Sequence, residues 1–103
     1  MTAERLLRLL SLFTVRRSWG GDELWFDVEE LTGGRSRLTF THLLDERDAA
    51  ARNAAGWDLC LDALSRAVDG TPDAAPGGRT PAWEERYRGY LAAGVPSGAP
   101  IPG

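Results

Sequence analysis

Between Trp19 and Gly70, two runs that alternate apolar and polar residues, each preceded by paired glycines, lead directly into one long helical pattern. Strands with one apolar face, followed by a helix with one apolar stripe, bury both by packing together, which restricts the chain to an α+β arrangement. The first run, Glu23 to Leu31, sets Leu24, Phe26 and Val28 on one face and Trp25, Asp27 and Glu29 on the other, as a half-buried antiparallel strand requires. Thr32-Gly33-Gly34-Arg35 turns the chain, and Leu38, Phe40 and His42 then alternate with Arg37, Thr39 and Thr41. Ahead of these, Phe13, Val15 and Trp19 fall on alternate positions before a Gly20-Gly21-Asp22 turn, which predicts a three-stranded meander.

The helix that follows is predicted to start at Asp45, whose side chain caps the first N–H groups, and to end at Gly70. Ala50, Ala54, Trp57, Cys60, Leu61, Leu64, Ala67 and Val68 recur at three and four and form the stripe expected against the sheet, with Asp58, Asp62 and Arg66 expected in water. Gly56, lacking a Cβ beside Trp57, is expected to let the helix approach the sheet. Upstream, Leu6, Leu9, Leu10 and Phe13 have helical spacing, so residues 3–12 predict a short amphipathic helix, with an alternating strand as the other reading. Residues 1–70 thus form the predicted domain, and Thr71 to Arg79, with two prolines and two consecutive glycines, a linker. Thr80-Pro81 opens a short helix over 80–94 that carries Trp83, Tyr87, Tyr90 and Leu91 on one face, and Val95 to Gly103 is expected to be disordered.

Composition removes several function classes. With 103 residues there is room for one small domain. The net charge of −3 is dispersed, and all 12 basic residues are arginine, a bias that fits a high-GC genome better than a phosphate-binding surface, so no nucleic-acid partner is expected. The single Cys60 forms no internal disulfide and is expected to be an inert buried thiol, and the single His42 cannot build a zinc site with it. The apolar N-terminal run is interrupted by Arg5 and Arg8 and is too short to span a bilayer, so the expectation is a cytoplasmic chain with no membrane contact. The GGRS run joins two strands and lacks the ending of a nucleotide loop, and no cofactor is implied. Asp22-Glu23 and Glu29-Glu30 occupy turns or strand ends and read as solvated charges.

The strand GGDELWFDVEE, the strand GGRSRLTFTH and the helix AAGWDLCLDALSRAVDG, in that order, resemble the C-terminal half of bacterial SRPBCC proteins, in the branch of Hsp90-ATPase-activator homologues. The WEERYRGYL tail resembles them more loosely. The resemblance implies a partial helix-grip, Bet v 1-like fold: an antiparallel meander curled around a long C-terminal helix, with an apolar pocket between the two. The strand, helix pair and further strands that open the family's domain have no counterpart before Leu12, so a truncated member or a misassigned start is expected, together with a homodimer through the exposed sheet edge.

The candidate pocket lining is Leu24, Phe26, Leu38, Phe40, His42, Trp57, Leu61 and Leu64, residues that any core of this shape would also use. His42 shares a face with Leu38 and Phe40, but no second acid, base or nucleophile is placed to work with it, so a structural histidine is preferred to a catalytic one. Trp57 is likewise preferred as core packing over ligand stacking. The expected function is non-enzymatic binding of an apolar small molecule or lipid. A co-chaperone that binds an Hsp90-type chaperone, a truncated product without activity of its own, and a cyclase-like or hydrolase-like enzyme centred on His42 are the alternatives.

Overall fold

The computed structural model describes residues 2–7, 13–71 and 79–101. Four strands, β1 (Thr2–Leu7), β2 (Phe13–Trp19), β3 (Asp22–Glu30) and β4 (Ser36–Leu43), precede α1 (Ala50–Val68) and α2 (Pro81–Ala92). All strand pairs are antiparallel and the spatial order is β1-β4-β3-β2, giving an α+β fold with one sheet and two helices. The β2–β3–β4 meander follows the alternation of its side chains and turns at glycines with positive φ, Gly20 at 61° and Gly33 and Gly34 at 76° and 72°.

β1 corrects the helix expected over 3–12. Thr2 to Leu7 pair with Ser36 to Thr41 along the free side of β4, and residues 8–12 lie outside the described residues. The free edge of β4 offers a row of backbone bonds that a short isolated helix cannot match, and tertiary pairing overrides the local spacing.

α1 lies over the inner face of the sheet, nearest β1, while α2 touches α1 and, among the described residues, no strand. Three layers result, with α1 in the middle. Its sheet side contributes Leu61, with Trp57 and Val68, to a cluster with Leu24, Val28, Leu38 and Phe40. Its other side packs Ala51 and Ala55 against Trp83 and Tyr87 of α2, whose rings stack with centroids 4.9 Å apart. A Cβ on Gly56 would sit 4.0 Å from Trp83 Nε1, so the glycine faces α2 and not the sheet as expected. Asp58 and Asp62, expected in water, also face α2. Arg86 donates to Asp62 at 3.0 Å and Tyr90 Oη donates to Asp58 at 2.5 Å.

Both helices stop in the same way. Thr71 N–H bonds Arg66 O and Gly70 N–H bonds Ala67 O, and Val95 N–H and Gly94 N–H repeat the pattern on Tyr90 O and Leu91 O. Their starts differ. Thr80 Oγ1 accepts from Trp83 N–H at 3.1 Å with Pro81 in the first turn, as its sequence predicts, whereas α1 has no side-chain cap and Asp45 does not serve as one. A short 3₁₀ turn, Arg47–Ala49, intervenes. The segment expected to be disordered supplies the missing partner. Pro96 O accepts from Ala51 N–H, Ala99 N–H bonds Asp48 O, Arg52 donates to Pro100 O, and Ala99 is buried. Residues 102–103 and the linker residues 72–78 lie outside the described residues.

Candidate binding site

The inner sheet face carries most of the expected pocket residues because period-two alternation points them all one way. Leu24 pairs with His42, Phe26 with Phe40 and Val28 with Leu38 across β3 and β4, so these six side chains form three adjacent cross-strand rows. Trp57 reaches down from α1 into them: its ring lies 4.3 Å from that of Phe40 and 6.4 Å from that of Phe26, while Phe26 and Phe40 are 5.1 Å apart. Leu38, Phe40 and Leu61 are each no more than 3% exposed. The space between sheet and helix is therefore occupied by the protein's own rings beneath the centre of α1.

That closure does not extend to the β2 side. Val15, opposite Phe26 in the register, is partly exposed, as are Phe26 and Trp57, and Leu64, one heptad on from Trp57, is 40% exposed. Cys60, between Trp57 and Leu64 on the helix, is exposed where the sequence predicts burial. The single apolar stripe read from the sequence is wider than the contact it makes, since Cys60 and Leu64 on it are exposed. Seven of the eight candidate residues come together; Leu64 stands at the margin.

His42 closes one end of this face. It is 1% exposed, its Nε2 lies 2.7 Å from Asp22 Oδ2, and its ring stands edge-on to Phe40 and Trp57, each 6.3 Å away. Asp22 Oδ1 accepts the Asp45 backbone N–H at 2.8 Å. The Asp45 amide, and then the His42 hydrogen bond, hold the Asp22 carboxyl below the usual aspartate range. One carboxylate thus ties the β2–β3 turn to the end of β4 and to the loop before α1. A Cβ on Gly21 would crowd the Asp45 side chain, so a larger residue there requires that carboxylate to turn away. His42 is thus buried at the end of the sheet with its imidazole held by Asp22.

The chain matches no family model, no curated protein and no solved structure. Among the described residues no three His, Cys, Asp or Glu side chains gather as metal ligands, and no helix is long and apolar enough to cross a membrane. A shallow hollow of about 390 Å³ lies on the outer face of the sheet, lined by Thr14, Asp27, Val28, Glu29 and Thr39, but Asp27 and Glu29 are already paired with Arg16 and Arg37.

Sequence reasoning read Asp22 as a solvated turn residue and did not connect it with His42. Asp22 sits two places before Leu24, which opposes His42, and that offset between an acid and a histidine on facing strands is the signal that could have linked them.

Proposed function

We propose that this chain is a non-enzymatic binding module of the SRPBCC type, from the Hsp90-ATPase-activator homologue branch, that holds an apolar small molecule or lipid chain along the seam between α1 and the β2–β3 half of the sheet. The observation that carries the reading is the partial exposure of Val15, Phe26 and Trp57, with Leu64 exposed on the same helix as Trp57, beside the buried cluster of Leu24, Val28, Leu38, Phe40 and Leu61. A buried apolar floor next to an uncovered apolar margin favours desolvation of a flat or extended ligand. In this reading the protein works in the cytoplasm without a cofactor, and the helix-grip arrangement is that of a partial Bet v 1-like fold.

Titration of the protein with a medium-chain fatty acid or an anilinonaphthalene dye, followed through tryptophan emission, tests it. Removing one Leu contact of ~1.5–3 kcal/mol by Leu64→Asp is expected to weaken binding by roughly 10- to 100-fold. His42→Gln leaves the affinity unchanged if the histidine is structural. Saturable binding that Leu64→Asp does not alter would remove the seam as the site.

A further inference from the structure

β2 is the outer strand of the sheet, with β3 as its one neighbour, and it offers seven residues, Phe13–Trp19, whose other backbone side faces no strand among the described residues. The register divides its side chains. Thr14, Arg16 and Ser18 stand on the outer face opposite Asp27, Trp25 and Glu23, while Val15, Arg17 and Trp19 stand on the inner face. Trp19 is 59% exposed. Arg16 is held ready: it lies 4.3 Å over the Trp25 ring and 3.1 Å from Asp27, and five guanidinium donors leave more to offer. Arg17 is exposed, and its guanidinium meets the Arg16 carbonyl at 3.4 Å with no carboxylate partner among the described residues.

We propose that β2 accepts an extended, acidic segment of a partner protein as a fifth strand. Main-chain bonds along β2 supply the attraction common to any strand, and the two arginines supply the choice. Because Arg16 and Arg17 are adjacent, they project to opposite faces, so the fitting segment carries carboxylates on neighbouring positions, one for each face, with apolar residues against Val15 and Trp19. A second copy of the chain fits less well. Antiparallel self-pairing centred on Arg16 or Arg17 sets like charges directly opposite, and centring on Val15 or Ser18 avoids this by shortening the ladder.

Fluorescence anisotropy with a short labelled peptide that sets a Glu-Glu step opposite Arg16 and Arg17, valines opposite Val15 and Trp19 and threonine opposite Ser18 tests the proposal beside an otherwise identical lysine peptide. The glutamate peptide is expected to bind, and the double reversal Arg16→Glu with Arg17→Glu, checked for an unchanged circular dichroism spectrum, to weaken it by ~10-fold or more and to favour the lysine peptide instead. Arg17→Gln alone keeps the test valid if the double reversal unfolds, and is expected to weaken binding severalfold. N-methylation of alternate peptide amides is expected to abolish binding. Equal binding of the two peptides, an N-methylated peptide that binds as well as its parent, or a dimer in sedimentation equilibrium that the glutamate peptide fails to dissociate would each overturn it.

Discussion

Replacing Asp22 with alanine is the sharpest probe of how this sheet is fastened. The carboxylate takes two hydrogen bonds, from His42 Nε2 at 2.7 Å and from Asp45 N–H at 2.8 Å, and the imidazole it serves is 1% exposed while the carboxylate is 24% exposed. A hydrogen bond to a charged group contributes ~1.5–3 kcal/mol, and solvent access to Asp22 places each bond at the low end, so their joint loss is expected to be about 3 kcal/mol. With a urea slope of about 1–1.5 kcal/mol/M for a small domain, the midpoint of unfolding falls by roughly 2–3 M at neutral pH. Tryptophan emission is a direct reporter, since Trp57 stands edge-on to His42. The pH dependence follows from the lowered native pKa of Asp22. The tie contributes fully above the ordinary aspartate value of 3.8 and fades as pH falls through the native value beneath it. The gap between wild type and Asp22→Ala is therefore expected to close in strong acid. A loss below about 0.5 kcal/mol at pH 7, or a gap indifferent to acid, would show that the pair behaves as a surface contact and would refute the reasoning.

Three further outcomes are expected. Arg86→Ala removes the partner of Asp62 and Asp58 at 3.0 and 3.7 Å, and because the arginine is 41% exposed the loss is about 1 kcal/mol, read by denaturant unfolding and reduced when Asp62 is already alanine. Thr80→Ala removes the α2 cap, lowering stability by ~1 kcal/mol, whereas Thr80→Asp retains it. Deleting the residues after Gly94 frees Ala51 N–H and uncovers the site of Ala99. Amide exchange in the first turn of α1 is then expected to quicken with little change at Leu61, and uniform loss of protection would instead mark the segment as part of the global fold.

Where one signal governed an element, the sequence was enough to place it. Alternating Leu24-Phe26-Val28 and Leu38-Phe40-His42, with glycines at the turns, locate β3 and β4 and their inner face, and Thr80-Pro81 locates the start of α2. Elements governed by a distant partner escaped. The spacing of Leu6, Leu9 and Leu10 carries no trace of the free side of β4 that makes Thr2–Leu7 a strand. A helical wheel finds one apolar stripe on α1, yet this helix is covered on two sides, and Asp58 and Asp62 face inward because α2 brings Arg86 and Tyr90 to them. Both pairs are four residues apart, a matched spacing visible in the sequence only once the two helices are known to be neighbours. The candidate pocket was legible as a list of residues and not as a space, since alternation tells which way Phe26 and Phe40 point but not that Trp57 fills the gap between them.

The borrowed cap of α1 has a consequence in time. Its first turn is completed by atoms of residues 96–100, almost fifty positions later in the chain. During synthesis the strands can pair and the body of α1 can form while the opening of that helix still lacks its partner, which leaves the ribosome only after α2 has been made. Any event that severs or detains the segment after Gly94 therefore acts first on residues 48–52, about half the chain away from the cut.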